Sequence, residues 1–421
     1  MKTNLAESIK DTPEGKEANA ILRACVHCGF CTATCPTYQL LGEELDGPRG
    51  RIYLMKELLE GAAVTQSTQL HLDRCLTCRA CETTCPSGVK YGRLVDIGRG
   101  IVEREVGRGA AEGLFRLGLK TIIPRARLFT PLLRLGQWAR PLLPASIKRK
   151  VPLKVAATPW PGPRHPRRML VLQGCAQPGI APTINPALAR LLDAIGISLI
   201  AADEAGCCGA VAYHLSAHEE GLRYMRGNID AWWPYVDQGV EAIVMTASGC
   251  GVMVKEYGHL LAHDPHYAHK AEKISALTKD ATEILSAEAP ALERVITSSI
   301  ATRVAFHSPC TLQHGQQITG VAERLLKAAG YALTYVPDGH LCCGSAGTYS
   351  LLQSELSQRL LANKVGALES GGPQVIATAN IGCLAHIQTG TQLPVRHWVE
   401  LVEERVNREP GNEGRRERGN E

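Results

Sequence analysis

Aromatic residues are scarce in this 421-residue chain: 4 Phe, 5 Trp and 11 Tyr, 5% of the total. Long apolar runs are missing as well. No stretch reaches the ~20 residues that a membrane-spanning helix needs, so a soluble or peripheral protein is expected. The chain does not open on an apolar leader. Met1 to Ala18 is polar and charged, which argues against secretion and against a disulfide framework. A third absence is a G-x-G-x-x-G turn opening a helix after a strand, so no dinucleotide site is expected. Hydrophobic residues still make up 45% of the chain. At this length that suffices for the cores of roughly two to four domains.

Cysteine, by contrast, is plentiful, with 16 copies. Eight of them form C-x2-C-x2-C-x3-C-P twice: Cys25, Cys28, Cys31, Cys35-Pro36 and Cys75, Cys78, Cys81, Cys85-Pro86. Thiolate is a soft ligand that suits iron–sulfur clusters. In two-cluster ferredoxin runs three cysteines hold one [4Fe–4S] cluster and the fourth crosses to the other. The pattern predicts Cys25, Cys28, Cys31 and Cys85 around one cluster, and Cys75, Cys78, Cys81 and Cys35 around the second. Pro36 and Pro86 are expected to turn the chain away. Zinc ribbons also pair C-x2-C units, but rarely with four cysteines per run and a closing Cys-Pro. Two clusters in one small domain make a wire for single electrons.

The net charge of +5 hides an asymmetry. Between Pro86 and Leu170 stand 18 Lys and Arg against four acidic residues, a net +14, so the rest of the chain carries −9. The basic stretch also holds apolar runs such as Leu114-Phe115, Leu128-Phe129, Leu132-Leu133 and Leu142-Leu143, and ends in a Pro-rich linker around Trp160. A solvated helical connector is one reading. A docking surface for an anionic membrane or an acidic partner subunit is the other. No nucleic acid partner is expected, because the basic region has few aromatics to stack bases and no recognised motif.

The remaining eight cysteines form two sets: Cys175, Cys207, Cys208, Cys250 and Cys310, Cys342, Cys343, Cys383. Their offsets are 135, 135, 135 and 133 residues. Each set contains Cys-Cys-Gly, at Gly209 and Gly344, and Asn228 aligns with Asn363 at offset 135. Such self-similarity marks one structural unit used twice. Each repeat alternates strand and helix. Strands are expected at Arg168–Leu172, Ile197–Ala201 and Ala242–Thr246, then at Arg303–Phe306, Ala332–Val336 and Gln374–Thr378. Helices are expected over Asn185–Ala194 and Glu219–Trp232. This alternation implies parallel sheets, whose ligands gather at the carboxyl ends of strands. Every cysteine of both repeats follows a predicted strand end, so four thiols are expected to converge on one rim. Buried cysteines serving as small hydrophobes are the bland alternative. Glycine after the vicinal pair permits the sharp turn that aims both thiols one way.

These repeats resemble the cysteine-rich CCG domain of the heterodisulfide reductase family. The whole chain from about Ile21 to Val406 resembles the iron–sulfur subunits of glycolate oxidase. The run from Ile21 through Cys25 and Cys35-Pro36 to Tyr38, then Leu45-Asp-Gly-Pro-Arg-Gly-Arg51, Glu204-Ala-Gly-Cys-Cys-Gly-Ala210, Leu341 to Tyr349 and Thr378 to Cys383 carry the likeness. Relatives include the third subunit of anaerobic glycerol-3-phosphate dehydrogenase and lactate-utilisation proteins. The resemblance implies a complex in which partner subunits hold FAD and oxidise glycolate to glyoxylate. This chain would carry electrons away to a quinone-type acceptor, from the cytoplasm and peripherally on the inner membrane. It would not oxidise glycolate alone. One departure weakens the match. The full CCG motif ends in C-x-x-C, whereas Ala247 and Asn380 stand at the first cysteine of that pair, so each repeat keeps four thiols. A further cluster in the repeats, another metal, or an empty site all stay open.

The expected fold is thus multidomain: a mainly α-helical dicluster ferredoxin domain (1–99), a basic helical and Pro-rich linker (100–167), two α/β parallel-sheet CCG repeats (168–300 and 301–406) and a disordered tail (407–421). Histidines near the thiols have two readings. His27 sits in the first cluster loop, where it would tune a cluster by hydrogen bonding or simply stand exposed. His214, His218, His307 and His314 would manage protons for quinone reduction or play satisfied structural roles. Alternatives to the glycolate reading are the iron–sulfur subunit of a lactate or glycerol-3-phosphate dehydrogenase, a catalytic disulfide reductase, and a zinc-stabilised scaffold.

Overall fold

A computed structural model describes residues 1–144, 148–297 and 302–406; the tail expected to be disordered lies outside the described residues. The N-terminal part is helical. Helices Pro13–Ala24, Pro48–Leu59, Gln66–Asp73 and Tyr91–Val106 enclose a core of Leu22, Met55, Leu59, Leu72, Leu94 and Val95. Thr12 and Thr65 start two of them by accepting hydrogen bonds from the Gly15 and Thr68 amides, a polar cap for otherwise unpaired donors. Pro36 follows the last cysteine of the first run. It also opens helix Pro36–Leu41, because a first-turn position needs no amide proton and has the φ that proline already holds.

The basic stretch folds as helices Ala110–Ile122 and Ala126–Ala139. Irregular chain then leads to the first sheet. No described helix is long and apolar enough to cross a membrane.

Two four-stranded parallel sheets follow. The first has strands β1 (Arg167–Val171), β2 (Ile197–Ala201), β3 (Ile243–Met245) and β4 (Thr278–Asp280) in the order β2-β1-β3-β4. The second has β5 (Arg303–His307), β6 (Ala332–Leu333), β7 (Val375–Thr378) and β8 (Val395–His397) in the order β6-β5-β7-β8. The six expected strands are present, with β6 shorter than expected. The edge strands β4 and β8 were not expected. Each has three residues, Thr-Lys-Asp and Val-Arg-His, too short and polar for a periodicity argument.

One apolar core runs through both repeats, joining Val171, Leu188, Leu192 and Val244 to Phe306, Leu326, Trp398 and Val402. The repeats exchange helices across it. Ile184–Ala194 of the first packs on Trp398–Glu403 of the second, and Ala281–Ala287 of the first on Val321–Ala328 of the second. The two closing helices, Ala281–Ala287 and Trp398–Glu403, are both started by capping boxes, from Asp280 at the end of β4 and His397 at the end of β8. Each cap also meets the other repeat. Gln316 Nε2 donates to Asp280 at 3.3 Å, and His397 Nε2 donates to the Thr246 carbonyl at 2.9 Å.

The structure corrects one internal correspondence. Asn228 is buried but Asn363 is exposed. The Gly221 carbonyl backs the CCG turn at Gly209, and the Ser357 carbonyl backs it at Gly344. In that helix the offset is therefore 136, and the true counterpart of Asn228 is Lys364.

Candidate metal centres

The two ferredoxin-type runs fold around adjacent cavities. One is lined by Cys25, Cys28, Cys31 and Cys85, with Arg49 and Ile52 on its wall. The other is lined by Cys35, Cys75, Cys78 and Cys81, with Thr37, Arg51 and Leu76. Pro48, Cys81 and Tyr91 border both. In each run a left-handed backbone brings the thiols round. His27 (φ 56°) and Gly29 (φ 86°) do so in the first; Thr77 (φ 52°) and Arg79 (φ 62°) take the same places in the second. Arg79 carries a Cβ into that region at a cost that Gly29 avoids, and ion pairs to Glu82 and Glu256 hold it there.

The surroundings of the two cavities differ in charge. Arg51 is 1% exposed beside the second. It donates to the His71 carbonyl at 2.7 Å, to Thr37 Oγ1 at 3.1 Å and to Asp46 at 3.4 Å. Asp46 is fully buried and also bonds His71 Nδ1 at 3.0 Å and Arg74 at 2.8 Å. Arg99 donates to the carbonyls of Leu72 and Cys75, and the Tyr91 hydroxyl reaches Cys75 Sγ at 3.6 Å. Burial works to raise the Cys75 thiol, yet the Arg51 and Arg99 charges hold it below the ordinary thiol range. Burial dominates for Cys78 and Cys81, which lie well above that range. Burial and neighbouring thiols push Cys31 up to about 11. Groups so reluctant to ionise become ligands when a metal supplies the opposing charge. Four soft donors per cavity fit [4Fe–4S] clusters.

In the CCG repeats the thiols gather in matching order. Cys207 neighbours Cys175 and Cys208, and Cys208 neighbours Cys250, so that each shifts the ionisation of the next. In the second repeat Cys310 Sγ lies 3.9 Å from Cys342 Sγ, and Cys343 and Cys383 stand together. The Gly209 and Gly344 amides each donate to the first thiol of the vicinal pair at 3.4 Å. Both glycines have φ near +90°, and a Cβ there would meet a helix carbonyl at 2.8 Å (Gly209) or 2.6 Å (Gly344). The convergence expected at the strand ends is thus present in both sheets. It lies at the crevice between β1 and β3, and between β5 and β7, where the strand order reverses and ligands gather.

The two sets of thiols face different neighbours. Cys310 and Cys342 pack in one cluster with Leu76 and Tyr349, against Cys78 of the second ferredoxin-type cavity. The first repeat's rim lies instead under helix Ala126–Ala139, whose Phe129, Thr130 and Leu133 abut Gly179.

The candidate histidines divide. His27 Nε2 contacts the Met1 sulfur at 2.9 Å. His214 pairs with buried Asp96 at 3.1 Å; burial works to lower its basicity, but Asp96 raises it above the ordinary range. His218 stacks on Tyr213, with ring centres 4.5 Å apart. His314 joins Thr83 at 3.0 Å to the His340 carbonyl at 2.9 Å. Among the described residues, buried His307 has no hydrogen-bond partner at either ring nitrogen. It lies with Cys343 and Cys383, all three ligand atoms within 4.8 Å of one another. Sequence reasoning placed His307 near the thiols but gave it no distinct role. Its signal was a polar ring ending an apolar strand where the first repeat has Leu172.

A model of the 4Fe-4S dicluster domain matches residues 21–89, and a model of the cysteine-rich domain matches 169–255 and 304–388. The chain is 55% identical over 410 residues to the glycolate oxidase iron-sulfur subunit of Escherichia coli, covering 97% of this chain and 100% of that one. It is 30% identical to a probable glycolate oxidase iron-sulfur subunit of Bacillus subtilis, over 87% of this chain and 88% of the relative. Lactate utilization protein A of Bacillus subtilis is 27% identical over 53% of this chain and 93% of its own length. Sixteen cysteines in two kinds of thiol site, in this order along the whole chain, make it a member of the glycolate oxidase iron–sulfur subunit family.

Proposed function

We propose that the chain is the electron-transfer subunit of a glycolate oxidase complex. Cys25, Cys28, Cys31 and Cys85 hold one [4Fe–4S] cluster, and Cys75, Cys78, Cys81 and Cys35 hold the other. The observation that carries this is the pair of adjacent cavities, each lined by three thiols of one run and the closing thiol of the other. When bound, the clusters supply one-electron chemistry. Glycolate oxidation to glyoxylate releases two electrons and two protons, so a flavin in a partner subunit divides the pair. The chain itself excludes water from the second site with Leu76 and Tyr91, and holds positive charge there with Arg51 and Arg99.

The acceptor is of quinone type, reached at the membrane. Helices Ala110–Ile122 and Ala126–Ala139 carry four Lys and Arg against one Glu. Leu114 is 71% exposed on them and Trp138 78%, with Leu142 beyond at 85%. Exposed apolar side chains with a basic background and an interfacial Trp suit a peripheral contact with anionic lipid.

Anaerobic purification tests the first part. About eight irons and eight sulfides per chain are expected from two four-iron clusters. Their colour should bleach on adding glycolate together with the flavin-bearing partner, and not with glycolate alone. Zinc without sulfide would overturn it. For the second part, the chain should sediment with vesicles containing phosphatidylglycerol and not with phosphatidylcholine alone. Trp138→Ala with Leu135→Glu should abolish this; unchanged sedimentation would overturn the membrane reading.

A further inference from the structure

His307 ends β5 and is 2% exposed. Burying an imidazole with both nitrogens unpaired is costly, and such a group calls for a partner. The partners at hand are the thiols of Cys343 and Cys383, with ligand atoms within 4.8 Å of one another. Cys342, the residue before Cys343, is buried as well, its Sγ 3.9 Å from Cys310 Sγ. The mutual spacing of the His307, Cys343 and Cys383 ligand atoms suits a single ion. With metal–sulfur bonds of about 2.3 Å, sulfurs on a tetrahedral zinc stand about 3.8 Å apart. On a four-iron cube each ligand sits on a different iron, and the ligands stand farther apart. Among the described residues, no hydrogen bond joins two thiols of the ferredoxin-type runs, whereas one joins Cys310 to Cys342 in the second CCG set.

A second observation is independent of the first. Lys364 is 3% exposed, and its ammonium donates to the Asp338 and Gly339 carbonyls at 2.8 and 3.5 Å. No ion pair to a carboxylate is found for it among the described residues. A buried ammonium needs negative charge, and the groups facing it are Cys342 and Cys343 first, then Asp338 and Cys310. Zinc with three thiolates and one neutral imidazole carries a net charge of −1, which Lys364 balances. The first repeat has Leu172 in place of His307 and Asn228 in place of Lys364. It offers neither the nitrogen ligand nor the balancing charge.

We propose that the second repeat is a zinc site, with His307, Cys343 and Cys383 as ligands and Cys342 completing a Cys3His set. Zinc does not change oxidation state, so this site fixes the repeat against Cys78 and carries no electrons. The inference stands apart from the electron-transfer reading, which rests on the two ferredoxin-type runs.

The test is metal analysis of the anaerobically purified full chain. One zinc per chain is expected in addition to the cluster iron. His307→Leu, which installs the first repeat's residue, should cut zinc at least fivefold and leave iron and sulfide unchanged. Zinc X-ray absorption on the unaltered chain should give one nitrogen and three sulfur neighbours, so the test survives a variant that fails to fold. Cobalt(II) loaded in place of zinc should show tetrahedral thiolate bands, and His307→Cys should retain the metal with stronger sulfur charge transfer. Absence of zinc from the unaltered chain, iron and sulfide beyond eight that fall in His307→Leu, or an all-sulfur zinc shell would each overturn the proposal.

Discussion

The two CCG repeats share a strand order, a vicinal cysteine pair and a glycine turn, yet their thiols sit in different company. In the first, Asn228 donates to the Cys207 carbonyl and accepts from the Gly206 amide, both at 2.8 Å, and the Tyr257 hydroxyl donates to the Cys208 carbonyl. These are neutral contacts that fix the loop's backbone. In the second, the helix position of Asn228 is Lys364 and the strand end is His307. A positive charge and a free imidazole face thiols that otherwise match. Repetition therefore preserved the frame that converges four sulfurs. Two side chains outside the cysteine pattern decide what charge those sulfurs can bear. The neighbours differ in the same sense: one rim lies under the basic hairpin, the other against Cys78.

The sharpest break of this comparison is to swap the residues that differ. Lys364→Met should lower stability by about 3–5 kcal/mol, the cost of removing one partner from a buried charged set. Asn228→Leu should cost about 1–3 kcal/mol, because it leaves one buried amide and one buried carbonyl unpaired. Denaturant titration followed by fluorescence of Trp160, Trp232 and Trp398 reads both. Equal losses would mean that Lys364, like Asn228, merely holds backbone, and that the second set of thiols is uncharged.

Opposite pH responses of the two caps come next. Burial pushes Asp280 from 3.8 up to about 6 and His397 from 6.5 down to about 4. Between pH 4 and 6 the folded chain holds more protons at Asp280 than the unfolded chain does. Its contribution to stability is thus full at low pH and lost as pH rises through about 6. His397 stays neutral when folded, so its contribution is present above 6.5 and lost as pH falls towards 4. Each is worth on the order of 2–3 kcal/mol at 1.36 kcal/mol per unit. Asp280→Asn, which keeps a good cap, should flatten the decline between pH 4 and 6. His397→Asn should flatten the acid side. A variant that leaves both limbs unchanged would show that these caps do not set the profile.

Much of this frame was legible in the sequence because its signals are local. Cysteine spacing located both ferredoxin-type runs, and apolar runs located six of the eight strands. The constant offset exposed the repeat. What was not legible depends on distant residues meeting. Nothing local joins Arg51 to Asp46, His71 and Cys75, or Lys364 to Cys342. The exposed Asn363 misled because a one-residue shift in its helix is invisible until the CCG turn is seen against Ser357. Strands β4 and β8 escaped because three residues between helices carry no period, and their role is to present Asp280 and His397 as caps.

The smallest expected effect concerns the contact with Cys78. Cys310 and Cys342 lie in the same buried cluster as that thiol, and burial together with the Cys310 charge drives Cys78 away from ionisation. Negative charge near a cluster disfavours its reduction, since reduction adds an electron. Removing a thiolate with Cys342→Ser should therefore raise the potential of the neighbouring centre. A shift of about 59 mV corresponds to about 1.4 kcal/mol for one electron, and a change on the order of half that is expected across an apolar contact. Cys207→Ser, on the rim under the hairpin, should leave both potentials in place. Redox titration followed by electron paramagnetic resonance separates the two outcomes. If both variants move the same centre equally, the repeats are coupled through their shared core, and the asymmetry drawn from His307, Lys364 and Cys78 is one of packing and not of electrostatics.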